Sequence, residues 1–470
     1  MSRLPALLGA LGLVIAGPAW AEPSEDDDTG TEQEAEEEAE EEAQAEAEPG
    51  EETEAEPAPD AEPEPDAPAG PVIVLTEEDS AAEKKGIVAF GQNDTTLFAG
   101  LWEKGFLEGK EGKKVVIGGY AETEYHNNFK GESKFDMHRL VLFVYATLNK
   151  HISFAAEIEW EHGGSPRKAN GKLDVGEVLL EFATADFKFT DWIGLRAGIV
   201  LVPFGAFNVR HDAPTRDLGV RPMVITNIIP STWFEAGVGA FGTVPLPKDM
   251  EIDYEVYMIN GLDTKLYDGL GTRAARGSLG EDNNNGKAIV GRLAFRPLNT
   301  LDIGVSGYRG AYDPASSRYV NMIGADVTAR LGPVELLGEF AHARIDPGFD
   351  EGWAEATRNP VPQAMIGAYG QFNLNFFPKK WREKLPGDMQ EEMTFTLSVR
   401  YGEVDTQMGV ITAGDRSRLT VGLNVRPIEA FVFKNELLFE SNGDDGTLER
   451  FFTPGWSPSL KYVGSLAMMF

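Results

Sequence analysis

The chain contains no cysteine. That excludes disulfides, a lipoprotein anchor, thiolate metal sites and covalently attached haem. Histidine is scarce: His126, His138, His151, His162, His211 and His342 are scattered, and no two have metal-ligand spacing. Long apolar runs are also missing. After Gly17 none approaches the roughly eighteen residues that a spanning helix needs. Residues 4 to 69 hold no lysine or arginine at all, and the formal net charge is -34, so nucleic acid is not an expected partner. Nor is there a nucleophile beside a base. His211-Asp212 is the one suggestive pair, and a loop hydrogen bond explains it more simply, so neither an enzyme nor a cofactor is expected. Asp282 to Asn285 reads as an Asn-rich turn rather than a loose Ca²⁺ loop.

The amino-terminal region begins with a short basic start, Met1 to Arg3, followed by the apolar stretch Leu4 to Gly17. Ala19-Trp20-Ala21 is a small-x-small cleavage site before Glu22. Residues 1–21 therefore read as a secretory signal peptide. Glu22 to Ala69 carries 23 acidic residues, and the chain from Gly70 onward has 53 acids against 41 bases. The negative charge is thus concentrated in one tract. Residues 22–71, built of Glu, Ala and Pro, cannot bury enough apolar surface to fold and are expected to be a disordered, solvated periplasmic segment. Residues 72–112 are a short lead-in with two possible strands, Ile87 to Phe90 and Thr96 to Leu101, and residues 113–470 form the barrel described next.

From Lys113 onward, apolar and polar residues alternate in segments of about ten to fourteen, each bounded by turn residues. The segments are Val115–His126, Phe135–Leu148, Ile152–His162, Leu173–Phe182, Trp192–Val202, Trp233–Val244, Glu251–Asn260 and Lys287–Arg296. They continue with Leu301–Ala311, Tyr319–Leu331, Val334–Ala343, Ala364–Phe376, Met393–Val404, Arg416–Arg426, Phe431–Ser441 and Ser459–Phe470. The last of these has Tyr462, Leu466, Met468 and Phe470 on one face, broken only by Gly464. A strand with one apolar face invites aggregation in water, whereas in lipid it needs a paired neighbour on both edges. The expected fold is all-β: an antiparallel transmembrane β-barrel of sixteen strands in the outer membrane of a Gram-negative cell, facing lipid and lipopolysaccharide.

The connections support that count. Asn149-Lys150, Pro245 to Asp249, Pro297 to Thr300, Gly332-Pro333 and Pro427 to Glu429 are tight and fall on one side. Pro203 to Thr232, Gly261 to Gly286, Ile345 to Gln363 and Asn442 to Pro458 are long and fall on the other. Short periplasmic turns and long external loops are what such barrels show. Phe377 to Glu392 departs from the pattern, as either an elaborated turn or a miscount. By parity, Leu140, Leu142, Val144, Ile193, Leu195, Leu201, Phe372 and Leu423 should meet lipid. Arg139, Glu177, Glu181, Glu235, Arg292, Asp326 and Glu339 should point inward. A charge on the lipid face at mid-depth costs roughly 2–4 kcal/mol, so this many charges require one wet interior.

The longest external connection, the third, includes Pro203-Phe204-Gly205, His211-Asp212, Arg216-Asp217 and Arg221-Pro222. Its prolines and apolar residues suit a loop folded into the lumen. Gly198 through Pro203-Phe204-Gly205, then Ile229-Pro230-Ser231-Thr232-Trp233 and Glu235-Ala236-Gly237-Val238-Gly239, resemble the phosphate-selective porin family (porins O and P). The resemblance implies a homotrimeric porin, a passive channel for small anions or other small hydrophilic solutes, with its third loop as the constriction. The residues placed there are Arg210, His211, Asp212, Arg216, Asp217 and Arg221, facing Glu157, Glu159, Glu177 and Glu181 on one wall and Arg400, Arg418 and Arg426 on another, with Arg196 also lining the pore. The family's dense lysine cluster has no counterpart here. The alternative is a barrel scaffold that sheathes an envelope partner, such as an electron-transfer protein, with the acidic segment as contact site.

Overall fold

The computed structural model describes residues 107–108, 114–163, 166–169, 172–268, 271–276, 279–280, 282–347, 362–408, 414–442 and 459–470. The signal peptide, the acidic segment and nearly all of the lead-in lie outside the described residues, as do residues 443–458 of the last long loop. No described helix is long and apolar enough to cross a membrane.

Sixteen antiparallel strands close into one barrel, and the two-residue strand Leu107–Glu108 pairs onto the first of them. They are β1 (Lys114–Asn127), β2 (Ser133–Thr147), β3 (Ile152–Glu161), β4 (Val178–Thr190), β5 (Ile193–Leu201), β6 (Phe234–Leu246), β7 (Met250–Ile259) and β8 (Ala288–Leu298). The rest are β9 (Leu301–Ala311), β10 (Tyr319–Leu331), β11 (Val334–Ile345), β12 (Ala364–Phe376), β13 (Thr394–Asp405), β14 (Asp415–Ile428), β15 (Phe431–Asn442) and β16 (Ser459–Met469). Each pairs with its sequence neighbour. β16 closes the ring on β1, with Tyr462 opposite Asn127 and Met469 opposite Tyr120. Phe470 completes the seam: its N–H donates to the Gly119 carbonyl and its carbonyl accepts from Gly119, both at 3.0 Å. Closure leaves no unpaired edge, which lets a sheet with an apolar outer face persist.

The period of two decides the facing. Ile303, Val305, Ile323 and Val327 are exposed on the outer surface, while Asp302, Ser306, Asp326 and Thr328 are buried within. The fourth strand is a correction. It runs from Val178 to Thr190, whereas Lys172–Val175 pairs with Pro166–Ala169 in a separate small hairpin. Alternation continues through both segments, so periodicity alone could not separate them. The segment from Phe377 to Glu392 proves to be an elaborated turn with two short helices, Lys379–Arg382 and Gly387–Glu392.

Facing also needs two corrections. Leu201, expected in lipid, is buried with its neighbours Val200 and Val202 at the last pair of the β5–β6 ladder, where the chain turns into the long connection that follows. The inner face is also not uniformly polar. Tyr120, Val141, Phe143, Tyr145 and Phe182 form one inward apolar cluster, and a larger one lies beneath the third loop.

Candidate functional site

The third long connection, 202–233 (hereafter loop 3), folds into the barrel. Two short helices, Ala206–Val209 and Met223–Asn227, present Phe207, Met223, Val224 and Ile225 to the wall. These side chains, with Phe204, Ile228, Ile229 and Trp233, pack against Tyr257, Val290, Tyr308, Met322 and Tyr369 on β7 to β12. The Trp233 ring lies 5.0 Å from that of Tyr308. Apolar loop residues that would be poorly placed in open water are thereby covered. Wall glycines make room for them: a Cβ at Gly324 would meet the Phe204 ring at 2.8 Å, and one at Gly422 would meet Leu218 at 2.6 Å.

Polar groups fasten the rest of the loop across the lumen. Backbone N–H groups of Gly205 and Phe207 donate to Ser306 Oγ at 3.1 Å and to Glu339 Oε1 at 2.6 Å. On the far wall, Glu436 accepts from the N–H groups of Gly219 and Val220. Lys434 Nζ donates to the Ala213 carbonyl at 2.6 Å and Arg426 Nη1 to that of Pro214 at 3.0 Å. Arg400 Nη1 reaches the Val220 carbonyl at 2.6 Å and Arg418 Nη1 that of Arg221 at 3.1 Å. Loop 3 lacks long regular structure, so its backbone groups need partners from elsewhere, and charged wall side chains supply them.

The residues singled out in the sequence fall into place as follows. Arg210 pairs with Asp302 at 2.9 Å, and His211 Nε2 lies 2.7 Å from Glu181 Oε2. Asp212 Oδ1 is buried without a hydrogen-bond partner. Arg216 lies over the Phe207 ring and donates to the Gly219 carbonyl at 2.9 Å. Asp217 accepts from Asn373 Nδ2 at 2.7 Å, and Arg221 donates to Thr232 Oγ1 at 3.1 Å. Glu157 and Glu159 are buried on β3, with Glu159 Oε1 2.8 Å from Arg139 Nη1. Arg196 belongs to the wall instead, holding Asp186 through Nε and Nη2 at 2.7 and 2.8 Å and Tyr257 through Nη1 at 3.2 Å. Arg400, Arg418 and Arg426 hold the loop's carbonyls. Arg292 and Arg330, further arginines of the later strands, pair with Asp326 at 2.5 Å and Glu335 at 3.1 Å. Burial, reinforced by the charge of Glu335, pushes the Asp217 carboxyl up to about 6.

Among the anchors that escaped the sequence reading are Lys434, Glu436, Asn373 and Asn424. All stand at inward parity on the last strands, which was the available signal. Nothing local showed that they meet a loop more than 150 residues away.

A closed barrel of sixteen strands with an inward loop clamped across its lumen is the architecture of porins. The family model described as phosphate-selective porin O and P matches residues 118–333 of this chain. The resemblance read from Gly198 to Gly239 therefore lies inside the matched region. An uncharacterized protein of Aquifex aeolicus (strain VF5) is 34% identical over 201 residues, 42% of this chain. That match spans 44% of the relative's length. Among solved structures, OmpF of Salmonella typhi in complex with daunomycin superposes with a TM-score of 0.51 at 9% identity, covering 78% of this chain and 100% of that one. At that identity the likeness speaks to fold. The outer-membrane channel DcaP of Acinetobacter baumannii superposes with a TM-score of 0.48 at 10% identity, covering 77% of this chain and 99% of that chain.

Proposed function

We propose that the protein is an outer-membrane channel for passive diffusion of small ions and hydrophilic solutes, with loop 3 as its constriction. The observation that carries this reading is the loop itself, held across the lumen by charged inner-wall side chains. The apolar outer belt supports placement in a membrane, and the family match supports the outer membrane. Export through a cleaved signal at residues 1–21, an acidic periplasmic segment at 22–71, a lead-in at 72–112 and a barrel from 113 complete the organisation. A homotrimer is the assembly that the family resemblance implies.

An anion preference is the finer reading, resting on the family match and on Arg216 and Arg221 at the constriction. The purified protein should run as a trimer by light scattering and conduct in planar bilayers, with a reversal potential of anion-selective sign under a KCl gradient. Replacing Arg216 and Arg221 with alanine should move that potential toward zero. A cation-selective or unselective current would leave the channel and remove the anion preference. No current from a folded trimer would defeat the channel reading and favour the scaffold.

The selectivity should also depend on pH. Asp217 is charged above about 6 and neutral below it, since burial raises its carboxyl. Acidification from neutral pH therefore removes a negative charge 4.0 Å from Arg426. Anion over cation permeability should rise between about pH 7 and 5, as that carboxyl takes up its proton. The Asp217→Asn protein should lack this component. Equal pH profiles in the two proteins would refute the assignment.

A further inference from the structure

We propose that Glu157, Glu181 and His211 form a binding site for one divalent transition-metal ion, fastening loop 3 to the β3–β4 wall. One ligand atom from each residue lies within 4.8 Å of the others, and all three residues are buried. The site does not depend on the channel reading, because bound metal rather than current reports it.

Three features point to a cation. Glu157 is 1% exposed, yet its Oε1 has no hydrogen-bond partner. A buried carboxyl so placed takes up a proton, is paired, or ligates a metal. Asp212 Oδ1 is buried nearby without a hydrogen-bond partner as well. The orientation of His211 is the second feature. Its Nδ1 lies 3.0 Å from the Asn208 carbonyl, which only accepts, so Nδ1 carries the hydrogen. Nε2 is thus turned toward Glu181 Oε2 at 2.7 Å. Either a second proton or a cation must stand between them. A ring that donates one N–H to a backbone carbonyl and offers its other nitrogen is how metal-ligating histidines are oriented.

The third feature is in the backbone. The β3–β4 ladder slips between Glu157, opposite Phe182, and Ile158, opposite Leu180, which leaves Glu181 as the extra residue of a bulge. Glu181 keeps the inward parity of the residues before it while Phe182 beside it is buried too, so the alternation breaks at this bulge. A second Glu–His cluster differs. There Glu124 is held by His126 at 2.8 Å and His138 at 3.0 Å, and Glu122 by Arg139 at 3.3 Å and Lys434 at 3.6 Å. Its charges are already met by protein.

One imidazole with two carboxylates suits Zn²⁺ or Mn²⁺ over Ca²⁺, which prefers a full oxygen shell. The test is equilibrium dialysis of chelator-stripped, folded protein against Zn²⁺, with bound metal counted by mass spectrometry. Wild type should hold one equivalent per chain, retained under a large excess of Ca²⁺. Glu157→Gln and His211→Asn should each hold none, and Glu124→Gln should keep it, with heat-shifted gel migration verifying each barrel. No stoichiometric zinc on wild type, displacement by Ca²⁺, or zinc retained in folded Glu157→Gln would overturn the site. If Glu157→Gln fails to assemble, His211→Asn and the wild-type stoichiometry decide.

Discussion

Replacing Arg400 and Glu436 together with alanine is expected to raise single-channel conductance several-fold. The pair holds the Val220 peptide from both sides. Glu436 accepts from the N–H groups of Gly219 and Val220, and Arg400 donates to the Val220 carbonyl at 2.6 Å. Hydrogen bonds to charged groups are worth roughly 1.5–3 kcal/mol each, so their joint loss loosens the Val220 segment, while Arg418 still holds Arg221 and Asn373 still holds Asp217. The two substitutions remove one charge of each sign and leave the net charge of the lumen unchanged. A conductance rise would then report a wider path rather than a changed ion concentration. Unaltered conductance in a folded double variant would mean that loop 3 does not limit the current.

Trp233→Ala should release the loop from the opposite side. Trp233 is completely buried, packs against Tyr308 and Phe204, and its indole N–H points to Glu235 Oε1 at 3.3 Å. Truncating a buried aromatic of this size costs about 3–5 kcal/mol, and it opens the apolar cluster through which Phe204, Ile228 and Ile229 also hold the loop to the wall. In the wild type Arg216 is buried and Arg210 and Arg221 are engaged, so trypsin added to reconstituted protein should leave the loop intact. In the variant, cleavage after Arg210 and Arg216 should become rapid, read by mass spectrometry of the fragments, while the Arg221-Pro222 bond resists trypsin in both proteins. Equal resistance in both proteins would show that the apolar anchor is dispensable.

Much of the architecture was legible because lipid imposes a severe rule. Each strand must put apolar residues outward at a period of two, and that period is visible in any window of ten residues. Twelve residues at the carboxyl end suffice: Met468 and Phe470 are exposed while Val463, Ser465 and Ala467 are buried, as the parity of Ser459 to Phe470 requires. The fourth strand was misplaced where the rule lapses, since the small hairpin in the second loop continues the same alternation. The bulge at Glu181 was invisible for a related reason, because a one-residue slip leaves no mark on composition.

The arginines of the later strands illustrate the other limit. Parity placed Arg400, Arg418 and Arg426 on the inner face, and there they are. Whether such a side chain meets water, a solute or a carbonyl depends on what else fills the lumen. In this barrel the backbone of loop 3, the span between β5 and β6, crosses it and takes those side chains as partners. The sequence by itself determined the membrane barrel, its strand order and the inward charges, because those follow from local periodicity and from the ban on unpaired backbone in lipid. Only the tertiary structure decided which inward charges clamp the loop and which acids, Glu157 foremost, are buried without a partner. Those outcomes depend on contacts between residues far apart in sequence, and no local pattern encodes them.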